Sequence, residues 1–182
     1  MPSLSGSVVA VHLSDTHEFS KSSADVITLL PGLGVEGDAH MGAQVKHRSR
    51  VERDPTQPNL RQVHLVASEL LDEVNAAGFD VAPGEVGENI TTAGLDLINL
   101  PVGTVLRIGD SLVSLTGLRN PCVQIDMFQE GLQGAMLGRD DNGKLVRKTG
   151  VMGVVVHGGD VRAGASIEAA LPPGEPIPME RV

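Results

Sequence analysis

The single cysteine of the chain, Cys122, sits in the string Leu118-Arg119-Asn120-Pro121-Cys122-Val123-Gln124. A lone thiol forms no internal disulfide, so it serves either as packing or as a nucleophile or soft metal ligand. Pro121 suits the first turn of a helix, because its missing N–H is one that a helix start leaves unpaired anyway. The stretch from Gln124 to Gln129 is compatible with that helix. A thiol at its start faces free N–H groups and the positive end of the helix dipole, and both favour the thiolate. Arg119 adds a cation three residues upstream.

Two further segments concentrate polar groups. Asp38 and His40, with His47 nearby, share one face if the segment is extended. No second His/Cys pair at zinc spacing accompanies them, so a structural zinc site is not expected. His40 is left open between a hydrogen-bonded loop residue and a ligand contact. The second segment runs from Gly84 to Gly94 and carries Glu88, Asn89, Thr91 and Thr92 between glycines. Such a stretch offers many oriented donors and acceptors to an anionic or heteroaromatic ligand, or serves as a turn with capping hydroxyls. Lys46, His47, Arg48, Arg50 and Arg53 form a local basic cluster able to hold a small anion. Gly32-Leu33-Gly34-Val35-Glu36-Gly37 matches G-x-G-x-x-G, but no amphipathic helix follows it, so a dinucleotide fold is not expected. His12, His17, His64 and His157 carry no pattern.

The elements that must position these residues are short. The chain has 182 residues, 22 of them Gly and 11 Pro, a texture of short strands and turns. With no Trp, no Tyr and three Phe, the core must be aliphatic. Strands are expected over 7–13, 25–30 and 61–67. A helix should start at Ser68 as N-cap, carry Leu70, Leu71, Val74 and Ala77 on one face, and stop at Gly78. Gly109-Asp110 predicts a tight hairpin between 104–108 and 111–115. A second hairpin is expected between 151–156 and 161–167. The last dozen residues, with four prolines, read as an extended tail. The expected fold is one mainly β domain over 1–182, with its core at about 6–167. It should be a closed or nearly closed β-barrel with a few short helices. The net charge of −9 and the scarcity of aromatics argue against nucleic-acid binding. No apolar run is long enough to span a membrane, and no signal peptide is legible, so a reducing cytoplasm is the expected compartment.

Three segments, taken in order, resemble the MOSC domain family, named for the C-terminal domain of molybdenum-cofactor sulfurase. They are Gly32 to His40, Val86 to Thr92 with Gly94 to Leu97, and Arg119-Asn120-Pro121-Cys122. The glycine-rich end from Val156 to Gly164 also fits the family's closing hairpin. The resemblance spans roughly Gly6 to Ile167 and implies a compact β-barrel like the stand-alone bacterial members. It implies that Cys122 ligates molybdenum or carries sulfur. Arg119, Asn120, Asn89, Thr91, Asp38 and His40 are then the candidate contacts to the molybdenum cofactor (molybdopterin). A site for pyridoxal phosphate is not expected. One consequence would be reduction of N-hydroxylated substrates with an external electron donor. Another would be a Cys122 persulfide loaded by a cysteine desulfurase, delivering sulfur for metal–sulfur cofactor assembly. The third alternative is a non-enzymatic ligand-binding module with Cys122 packed.

Overall fold

A computed structural model describes residues 3–182. Its centre is a seven-stranded barrel built from β1 (Ser5–Leu13), β5 (Val63–Ala67), β6 (Ile90–Ala93), β7 (Val105–Ile108), β8 (Ser111–Leu118), β11 (Val151–His157) and β13 (Ser166–Ala170). The strand order is β13-β7-β8-β11-β5-β6-β1, and β1 pairs back with β13 to close the ring. Ser5 lies opposite Glu168 in that closing pair. Every pair is antiparallel except β5 with β6, which are parallel and need a crossover. Part of that connection is α2 (Ser68–Ala76).

Six smaller strands extend the structure around the barrel. β2 (Ser22–Ala24) continues from β1. β3 (Ile27–Leu30), β4 (Gly34–Val35) and β12 (Gly159–Val161) form a small separate sheet. β9 (Leu137–Arg139) and β10 (Leu145–Arg147) make a ribbon. The other helices are α1 (Arg48–Arg53), α3 (Val123–Phe128) and α4 (Leu132–Ala135). No described helix is long and apolar enough to cross a membrane.

The barrel interior is aliphatic, as the composition requires. Val8, Val11, Leu65, Ile90, Leu106, Ile108, Val113 and Leu115 are among its buried members. Burial along β8 alternates strictly, so its residues face inward at period two. All three phenylalanines lie outside the barrel. Phe19, Phe79 and Phe128 pack against a second cluster holding Val66, Leu70, Leu71, Val74, Ile125 and Leu132. This cluster fastens α2, α3 and α4 to the barrel wall. Ile125 is fully buried there, an anchor worth about 2–3 kcal/mol by area. It fixes the helix on which Cys122 is mounted.

The hairpin at Gly109-Asp110 forms as expected, with Ile108 opposite Ser111 and Gly109 at φ 57°. The second expected hairpin does not. β11 already has β5 on one edge and β8 on the other, so no edge remains for a returning strand. Residues 159–161 pair with β3 instead, and 166–170 pair with β7 and β1. Two details of α2 also differ. Ala67 is its N-cap and makes no side-chain cap, while Ser68 is the first helical residue. Of the expected face, Leu70, Leu71 and Val74 are buried, while Ala77 is the C-cap, past the last helical residue, and is exposed. Gly78, at φ 104°, ends the helix as expected.

Candidate functional site

Next to the barrel's β5–β8–β11 side lies a cavity of about 440 Å³. Cys122, Arg119, Asn120, Asn89 and His40 all contribute to its lining, although 82 residues separate the first from the last in sequence. Asp38 and Thr91 lie behind the wall.

The wall is built on a buried carboxylate. Asp38 Oδ2 accepts from Lys21 Nζ at 2.6 Å, Asn89 Nδ2 at 3.1 Å and the Ser14 N–H at 3.2 Å. Its Oδ1 accepts the His40 N–H at 3.0 Å and lies 3.3 Å from His40 Nδ1. Burial alone would raise the Asp38 pKa. The His40 hydrogen bonds and the Lys21 charge outweigh it and hold the carboxyl well below its usual range. Asn89 is equally committed: its Oδ1 accepts the His64 N–H at 3.1 Å, and its Nδ2 also donates to the His12 carbonyl at 3.3 Å. Thr91 donates to Glu88 Oε1 at 2.9 Å. Buried polar groups need such partners, so these three side chains hold the wall in shape.

Cations and the thiol stand out among the groups that line the cavity. Arg119 is buried, and its Nη1 donates to the Val86 carbonyl at 2.6 Å. Its guanidinium carbon sits 5.8 Å from the centre of the Phe19 ring. Burial lowers its pKa, against the pull of Cys122 and Glu88. Arg61 lies just before β5. Gln62 holds that approach: its Nε2 donates to the Gly32 carbonyl at 3.0 Å, and its Oε1 accepts the Val155 N–H at 3.0 Å. Burial pushes the Arg61 pKa down to about 10, with Arg50 and Arg119 adding repulsion. Among the described residues, neither Arg61 nor Arg119 has a carboxylate within ion-pair distance. Two like charges held this way, without a counterion, suit an anionic guest.

Cys122 is half-buried and is the N-cap of α3, which starts at Val123, one residue ahead of the expected stretch. Its Sγ makes one long hydrogen bond, 3.7 Å to Gln124 Oε1, and lies near enough to Arg119 to act on that residue's charge. Asn120 Oδ1 accepts from Arg147 Nε at 2.9 Å, which ties the cysteine loop to β10. Among the described residues, no group of three or more His, Cys, Asp or Glu gathers to hold a metal by itself.

The sequence reading missed Arg61, Lys21, Phe19, His64 and Arg181 on this wall. Arg181 arrives because the tail docks beside β8: the Leu118 N–H donates to the Glu180 carbonyl at 2.7 Å, and the Val182 N–H to the Leu118 carbonyl at 3.1 Å. Gly117 leaves room for it, since an added Cβ would lie 2.5 Å from the Glu180 carbonyl oxygen.

His64 gives the site a pH signature. Its Nε2 lies 2.8 Å from the Thr149 carbonyl. Burial, followed by the nearby Arg119 charge, holds its pKa well below the usual value. Unfolded, the same histidine protonates near pH 6.5. As pH falls below that value the unfolded chain gains a proton that the folded chain refuses, so stability is lost. The expected slope is about 1.4 kcal/mol per pH unit for this residue. Urea unfolding at pH 7.0, 6.0 and 5.0 should show the decline, and His64→Gln should flatten it. An unchanged slope in the variant would exclude His64 as its source. Half-buried His47, pushed down to about 4 by burial and by Arg61, adds in the same direction.

A closed β-barrel with a basic cavity and one thiol on its wall defines the class of protein. The MOSC domain family model matches residues 38–168, and the chain belongs to that family. No curated protein matches it. Solved structures share the fold. The YuaD protein from Bacillus subtilis superposes with a TM-score of 0.75 at 23% identity, covering 93% of this chain and 98% of that one. YiiM from Escherichia coli gives 0.59 at 22%, covering 97% and 73%. YiiM from Geobacillus stearothermophilus gives 0.58 at 16%, covering 93% and 75%.

Proposed function

We propose that the cavity holds the molybdenum cofactor, with Cys122 as a thiolate ligand of the metal, and that the loaded protein reduces N-hydroxylated substrates. One observation carries this reading: a half-buried thiol shares a wall with two arginines that have no carboxylate partner among the described residues. The donor set fits the group. A soft thiolate suits molybdenum, and guanidinium forks suit the phosphate on the pterin. The cavity volume lies in the range of small-molecule sites, about 300–1,000 Å³. With Cys122 as the only cysteine, the other sulfur ligands must come with the cofactor. When bound, the cofactor supplies two-electron redox chemistry at its metal. Arg61 and Arg119 hold its phosphate, and the Asp38–Asn89 lattice keeps the wall from collapsing on an empty site. Electrons come from an external donor, since one cysteine cannot hold an iron–sulfur cluster.

Cys122→Ser purified from cells that make the cofactor should lose most of its molybdenum by elemental analysis. Its melting temperature should stay within a degree or two of the parent, because serine is close in size and Sγ makes only one long hydrogen bond. Full retention of metal would refute the ligand role.

The surface beside the thiol favours a second reading, a sulfur carrier. Val123 is 65% exposed and Met127 79%, leaving the flank of Cys122 open to a protein such as a cysteine desulfurase. Incubation with a desulfurase and cysteine should then add one sulfur atom to the intact mass, and Cys122→Ser should abolish the adduct.

A further inference from the structure

The positive charge around the cavity exceeds what one cofactor phosphate needs. Seven of the chain's 14 Lys and Arg line it, against a single one, Glu18, of its 23 Asp and Glu. Lys21 is neutralised by Asp38. Arg61 and Arg119 form an inner pair, assigned above to the cofactor. Arg181 comes from the tail, and Lys46, Arg50 and Arg53 stand together on the solvent side, none of these four with a carboxylate in ion-pair distance among the described residues. They ride on an excursion over residues 42–58. Its base is tied by the Gln44–Pro58 bridge and by Asn59 Nδ2, which donates to the His40 and Gly42 carbonyls at 2.9 Å each. Within it α1 buries no residue, so core packing does not account for the helix. Arg50 and Arg53 stand three residues apart, on one face of α1, and both reach the cavity. On a chain of net charge −9, a cationic mouth of this kind draws in and orients anions.

We infer that Lys46, Arg50 and Arg53 read a phosphate group on the substrate itself, so that phosphate esters are preferred over their neutral parents. Two guanidinium forks and an ammonium match a phosphate dianion better than a single carboxylate. The inference rests on the cofactor reading only in that the inner arginine pair is taken to be occupied. Atoms of the ester are not altered at this subsite; it contributes binding and orientation.

The test titrates adenosine 5′-monophosphate and adenosine by calorimetry, as unreactive probes. It uses molybdenum-loaded protein and protein from cells that cannot make the cofactor. Both forms should bind the monophosphate about tenfold more tightly or better. Arg50→Gln/Arg53→Gln should erase that preference at unchanged melting temperature. The charge-matched pair Arg107→Gln/Arg162→Gln, outside the cavity, should keep it. Equal binding of the two probes, or a preference that survives in the Arg50/Arg53 variant, overturns the inference. So does a preference seen only without cofactor, which would mean one anion subsite rather than two. Molybdenum content is read separately: protein that never carries the metal sinks the cofactor reading, while the dependence on Arg50 and Arg53 still decides this one.

Discussion

Asp38→Ala should lower the melting temperature by about 10 °C or more. The carboxylate is surrounded by five polar contacts, and its ion-pair partner Lys21 is as deeply buried, with side-chain exposures of 4% and 2%. Removing one member of a buried pair strands the other charge in a poor solvent, a loss of about 3–5 kcal/mol. For a domain of this size each kcal/mol moves the midpoint by about 2–4 °C. The expected loss is therefore a large part of a total stability of about 5–15 kcal/mol. A double variant, Lys21→Met with Asp38→Leu, removes both charges and should recover much of the loss. A melting temperature for Asp38→Ala within 2 °C of the parent would show that Lys21 finds another partner or reaches water.

Arg61→Met should do the reverse: stabilise the protein and weaken its hold on anions. Arg61 is a cation pressed by burial and by two neighbouring arginines, with its pKa pushed down to about 10. The residue is only partly buried, so solvent screening reduces the benefit of removing it to about 1–2 kcal/mol. A methionine keeps most of the apolar stem's packing. The cost falls on ligand binding, where loss of a charge-assisted contact should reduce affinity about tenfold or more. Melting curves of cofactor-free protein with and without phosphate report both effects. The variant should start from a higher midpoint and rise less when phosphate is added. A lower starting midpoint would mean that the guanidinium is structural. Folded proteins commonly tolerate such strain where a guest relieves it.

The local parts of this fold were legible because local rules govern them. Gly109-Asp110 announced the hairpin between 104–108 and 111–115, and the helical spacing of Leu70, Leu71 and Val74 placed α2. The hairpin expected at His157–Asp160 failed for a non-local reason. Both edges of β11 are occupied by strands from elsewhere in the chain, which no window of sequence displays. The site divides the same way. Cys122 and Arg119 were visible as a motif. Arg61 was not, because it sits in no motif and reaches the cavity only through the pinning of Gln62 and the path into β5. Asn89 and Asp38 were noticed for the right segments, yet the structure spends their hydrogen bonds on each other and on Lys21, His40 and His64. Polar residues in glycine-flanked stretches look alike in sequence whether they face a guest or a neighbour.

The ring that closes through Ser5 and Glu168 has a consequence for synthesis. During translation the first strand can pair early with β2 and β6, but its stretch at Ser5–Ser7 that meets β13 must wait while nearly all the intervening chain emerges. Long-range pairings of this kind close slowly. The chamber beside the barrel cannot take shape until they do. A ligand that needs the formed cavity can then enter only after this closure, and the waiting edge of β1 is where a chaperone would be expected to act.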